Sequence, residues 1–165
     1  LDVDKISSII EMLELRTAVE MEAAALAATR RSPAQEEEIY EAEVEIRALA
    51  QEGEDTTEAD FRLHRAIAVA ANNPRFAEFL DLMGPSVIPR SALQAGGAHR
   101  SPDSYISLIS SEHRAIADAI AAGDADGARD AMRHHLKGSQ QRYRNMLRKP
   151  YDSSYKLLTL VWRLE

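Results

Sequence analysis

The 165-residue sequence contains no cysteine. That removes disulfides and thiolate metal sites together, so any metal must be held through nitrogen and oxygen. It also lacks a run of about 18 consecutive apolar residues, which excludes a membrane-spanning helix. Its first residues, Leu1 to Lys5, lack the basic-then-apolar order of a signal peptide. The expectation is a soluble, cytoplasmic protein with no membrane partner. Aromatic residues make up only 5% of the chain, while the hydrophobic content of 45% suffices for one real core. That core must come from closely approaching helices with alanine at their contacts. Basic charge is scarce as well: 20 Lys and Arg face 27 Asp and Glu, for a net charge of −7. Wrapping a nucleic-acid backbone needs a basic footprint, so this stretch is not expected to contact DNA itself. Strand patterns are nearly absent.

What is present is a series of legible helix starts. Ser32-Pro33, Asn73-Pro74 and Ser101-Pro102 each place a capping side chain ahead of a proline at the first helical position, where its missing N–H costs nothing. Gln35 stands at the capping-box position relative to Ser32, and Glu58 relative to Asp55. Gly123-Asp124 reads as a helix end followed at once by a new cap. The pattern predicts helices near 4–31, 33–52, 56–72, 74–95, 102–122 and 124–148. The first is long enough to break near Ser8, and Gly84-Pro85 with Pro89 must kink or break the fourth. Short connections make neighbours antiparallel, so the predicted fold is an all-α antiparallel bundle of six to seven helices. The glutamate-rich stretch 36–45 reads as a solvated helix face, and 94–100, with His99, as a loop. Residues 151–165 form an apolar tail to which no role is assigned.

The predicted inward stripes are interrupted by polar residues. One stripe runs Ile106, Ile109, His113, Ile116, Ile120; another runs Ala128, Met132, His135, Ser139; a third runs Asp60, His64, Ile67, Ala71. A lone core imidazole is ordinarily satisfied by a backbone carbonyl. Three of them on separate stripes need a shared partner, and Asp60 stands one turn before His64, at chelating spacing. Asp60, His64, His113 and His135 are therefore the expected ligands of a divalent metal in the bundle core, with Zn²⁺ first and Mn²⁺ or Ni²⁺ as alternatives. His134 points about 100° away from His135 and reads as surface or outer support. Glu112 adjoins His113 and by the same offset is expected to point elsewhere, not beside the ligands as a general base.

A further stripe, Ile6, Ile9, Leu13, Arg16, Glu20, Ala24, Ala27, carries two charges. Arg16 either pairs with Glu20 one turn on or forks onto a ligand carboxylate in a cavity. Arg90, at the phase of Phe76, Leu80, Met83 and Val87, is a second candidate for that cavity, with a surface position as the other reading.

Several ordered segments carry a resemblance. They are Asp60-Phe-Arg-Leu-His64-Arg-Ala-Ile67, Ala70-Ala-Asn-Asn73-Pro74, Glu112-His113-Arg-Ala-Ile116 with Gly123-Asp124, Ala131-Met-Arg-His-His135-Leu136, and Glu14-Leu-Arg16-Thr-Ala-Val-Glu20. Together, over about residues 10–148, they resemble the FCD domain, the effector-binding C-terminal half of FadR-type GntR-family bacterial transcription regulators. The resemblance implies that residues 1–150 form an FCD-like ligand-binding domain. It also implies that Asp60, His64, His113 and His135 bind metal, that the family's first-helix arginine falls on Arg16, and that the protein forms homodimers and responds to a small organic acid. Operator DNA would be read by an N-terminal winged helix-turn-helix that this stretch does not include, so the stretch is expected to be a fragment. The alternatives are a metal-dependent hydrolase-like enzyme and a purely structural metal site.

Overall fold

The computed structural model describes residues 3–84 and 103–148, with side chains placed over 7–84 and 106–145. Six helices account for nearly all of them: α1 Val3–Arg30, α2 Pro33–Glu52, α3 Thr57–Ala70, α4 Pro74–Met83, α5 Asp103–Ala121 and α6 Ala125–Arg148. No strand occurs among the described residues. Helix α1 is continuous through Ser8, and α4 ends rather than kinks. Gly84 terminates it at φ +66°, ψ 171°, a conformation that a Cβ would strain. Arg90, His99 and the 151–165 tail lie outside the described residues.

The start signals act largely as their chemistry requires. Ser32 accepts from the Gln35 N–H while the Gln35 side chain accepts from the Ser32 N–H, completing the capping box of α2. Asn73 accepts from Arg75 N–H ahead of Pro74. Asp55 builds no such box with Glu58: its carboxylate accepts from the backbone N–H and the hydroxyl of Thr57, and Thr56 is the cap residue. Two connections are locked to each other by side chains. Arg31 donates to Ala28 O at 2.5 Å and Ala121 O at 2.6 Å, closing carbonyls at the ends of α1 and α5. Asn72, held at φ 51°, donates to Arg30 O at 2.6 Å.

Helix α1 is the spine. It packs most extensively on α6 and also touches α3, α4 and α5, while α2 lies against α3 and α5. The approach is close because the second half of α1 presents Ala23, Ala24, Ala25, Ala27 and Ala28, all buried. Around them lie Ile39, Ile46, Leu63, Ile67, Ile116, Ile120, Met132 and Leu136. The 36–45 face is less solvated than its composition suggests. Glu43 is 2% exposed, reached by Arg47 and Arg114 at 3.5 Å each, because α5 crosses that part of α2. No described helix is long and apolar enough to cross a membrane.

Candidate metal centre

Asp60 and His64 come from α3, His113 from α5 and His135 from α6, and all four are buried to 2% exposure or less. Each projects inward because it occupies a stripe position that packing would otherwise give to an aliphatic residue. The structure brings them together: one ligand atom from each lies within 4.8 Å of all the others. His113 Nε2 stands 3.2 Å from Asp60 Oδ1 and His64 Nε2 stands 3.9 Å from Asp60 Oδ2. The rings of His113 and His135 have centroids 4.6 Å apart, and those of His64 and His135 5.3 Å apart. Ligands bonded at about 2.1 Å to one ion stand roughly 3 to 4 Å from each other, so the spacing suits a shared divalent cation.

The hydrogen bonding fits such an ion as well. His64 Nδ1 lies 2.5 Å from Glu20 Oε1, and His135 Nδ1 lies 2.7 Å from Glu112 Oε2. A carboxylate only accepts, so each contact calls for a proton on Nδ1, the arrangement that in a neutral ring leaves the Nε2 lone pair for a metal. His64 Nε2 is fully buried and makes no hydrogen bond among the described residues. An acceptor left so is costly unless something fills the space it faces.

Glu20 and Glu112 are the residues that sequence reasoning missed in this role. Glu20 was legible only as a partner for Arg16, which it is: Arg16 Nε donates to its Oε2 at 2.7 Å. Burial pushes the Glu20 carboxyl up, but the Arg16 guanidinium and the His64 ring beside it outweigh burial and hold it at about 2. Arg16 is itself 2% exposed, and its Nη2 makes no hydrogen bond among the described residues, so the pairing with Glu20 leaves one donor group for another acceptor. Glu112 does not point away from the ligands. It is buried against His135, with Arg142 behind it at 3.4 Å, because the 100° offset from His113 turns it toward α6. His134 is 77% exposed, on the surface, with Nε2 4.0 Å from Glu112 Oε1.

Comparison with known proteins identifies the family of the chain. Residues 11–138 match the model of the FCD domain. The chain is 35% identical to the putative L-lactate dehydrogenase operon regulatory protein of Escherichia coli (strain K12), over 76% of this chain and 48% of that protein. It is 29% identical to the HTH-type transcriptional regulator LutR of Bacillus subtilis (strain 168), over 76% of this chain and 58% of that protein. The chain thus spans about half the length of the curated relatives it matches. Among solved structures, Streptococcus agalactiae GntR superposes with a TM-score of 0.69 at 22% identity, covering 86% of this chain and 62% of that one, a likeness of fold. On the strength of the match over residues 11–138, the chain belongs to the FCD domain family.

Proposed function

We propose that this chain is the effector-sensing part of a GntR-type transcription regulator. In this reading Asp60, His64, His113 and His135 hold a divalent ion, Zn²⁺ first, with Mn²⁺ or Ni²⁺ as alternatives. The observation that carries the reading is the convergence of three imidazoles and one carboxylate, from three helices, on a space 4.8 Å across. When bound, the ion supplies a positive centre with open coordination positions for a ligand's oxygens. Arg16 supports the second half of the reading, because its remaining buried donor suits a carboxylate, which guanidinium binds in a fork. Arg90, outside the described residues, is the weaker candidate for the same role, with a surface position as its other reading.

Both relatives are regulators by name, and that of Escherichia coli is named for an L-lactate dehydrogenase operon. That makes a small hydroxy-carboxylate the first effector to test. The domain would span residues 1–150 and work as a homodimer, with operator DNA read by a winged helix-turn-helix outside this stretch. An effector can bias such an assembly only by binding one arrangement of the helices more tightly than another, on a scale of about 1–3 kcal/mol. The enzyme reading gains nothing from Glu112, whose carboxylate is taken up by His135 and Arg142.

Elemental analysis of the purified protein should find one divalent ion per chain, and His113→Ala should lose it while keeping its helical circular dichroism. Full occupancy in the variant rejects the ligand set. Metal-loaded protein should then show saturable thermal stabilisation by L-lactate or a related hydroxy acid, which Arg16→Gln should remove. If no acid stabilises the loaded protein and chelation unfolds it, the ion is a staple only.

A further inference from the structure

Two chains of the same composition end on the candidate centre. In one, Arg16 Nε donates to Glu20 Oε2 at 2.7 Å and Glu20 Oε1 receives the Nδ1–H of His64 at 2.5 Å. In the other, Arg142 Nη1 and Nη2 stand 3.5 and 3.4 Å from the two oxygens of Glu112, whose Oε2 receives the Nδ1–H of His135 at 2.7 Å. They differ in setting. Arg16 and Glu20 are each 2% exposed, whereas Arg142 is 18% exposed and also donates to Ser139 Oγ at 2.9 Å.

Resting on the metal-centre reading above, we infer that Glu20 and Glu112 are positioning residues of that centre, and that Glu20 alone couples it to Arg16. Each carboxylate fixes the proton on Nδ1 of its histidine, so the ring cannot turn its N–H toward the ion. Glu20 does something more, because its second oxygen is bound to the arginine that has a spare buried donor. Arg16 withdraws charge from Glu20 and weakens its pull on the His64 N–H. An anion that shares the guanidinium restores that pull and makes His64 a better donor to the ion. Carboxylate and metal then favour each other through one shared side chain. The Arg142 chain is longer and reaches solvent, where screening reduces the same effect.

The test uses metal-stripped full chain and Zn²⁺ alone, titrated in competition with a chromophoric chelator at fixed pH. Glu20→Gln and Glu112→Gln should each weaken zinc binding about 10- to 100-fold, with one ion per chain and unchanged helical circular dichroism. Before zinc is added, long-range ¹⁵N–¹H spectra of the wild type should place the imidazole proton on Nδ1 of His64 and His135. Glu20→Gln should shift the proton of His64 toward Nε2 and leave His135 alone, and Glu112→Gln should do the reverse; a general structural role would move neither selectively. Arg16→Gln should tighten zinc binding by about threefold or more in the wild type but not in Glu20→Gln. The inference is overturned if the wild-type protons sit on Nε2, if Glu20→Gln binds zinc as tightly as the wild type, or if the Arg16→Gln effect is the same in both backgrounds. Should the wild type take up no zinc, the metal reading fails, and the proton positions still decide whether the carboxylates orient these rings.

Discussion

The same helices build two unlike halves of one bundle. On α1, Arg16, Thr17 and Glu20 give way to Ala23, Ala24, Ala27 and Ala28; on α5, Glu112 and His113 give way to Ile116, Ala117 and Ile120. Helix α6 runs the other way, from Ala128 and Met132 to His135, Gln140 and Tyr143, all buried. One half is dry and alanine-rich. The other buries carboxylates, guanidinium and imidazoles, with Gln140 Nε2 donating to Thr17 Oγ1 at 2.9 Å across the α1–α6 contact. The dry half gains stability from burying apolar surface and needs no ligand. The polar half costs desolvation that its hydrogen bonds only partly offset.

That contrast can be broken at its apolar end first. Ile120→Ala leaves a cavity two turns beyond His113 and should cost about 2–5 kcal/mol in denaturant unfolding, while zinc stoichiometry stays at one per chain. Loss of metal with that substitution would mean the halves are not separable. The polar end is sharpened by metal itself. Zinc at 100 times its dissociation constant should stabilise the wild type by about 2.7 kcal/mol and His113→Ala by none, as read from thermal unfolding with and without zinc. The smallest effect belongs to the surface, away from both halves. Asp81 receives two hydrogen bonds from Arg65, at 2.8 and 3.0 Å, and these together with the guanidinium charge hold its carboxyl below the usual range against the upward push of desolvation. A depressed folded-state value means the contribution is present above the unfolded value and is lost as pH falls through the folded one. Asp81→Asn should therefore cost less than about 1 kcal/mol at neutral pH, and its difference from the wild type should vanish in acid, followed by unfolding curves at pH 7 and below 3.

Much of the centre was legible because helical phase fixes which residues face inward. Asp60, His64, His113 and His135 interrupt apolar stripes at three-and-four spacing, and no strand pattern competes with that reading. Ser32, Asn73 and Gly123 marked helix ends for equally local reasons, since caps and left-handed turns depend on a few adjacent residues. Glu112 departs from expectation because a phase offset tells which way a side chain leaves its own helix, not which helix stands there. The glutamate-rich composition of 36–45 points to solvent for a related reason: it does not reveal that α5 covers Glu43.

Sequence alone determined the helices, their inward faces and the four donor groups aimed at the core, since these follow from local dihedral preference and a period of 3.6 residues. Tertiary structure decided which carboxylate meets which imidazole nitrogen, and that Arg16 and His64 share the two oxygens of Glu20. Those pairings join groups 23 to 44 residues apart or select among neighbours on one helix. Their geometry exists only once α1, α3, α5 and α6 are packed side by side.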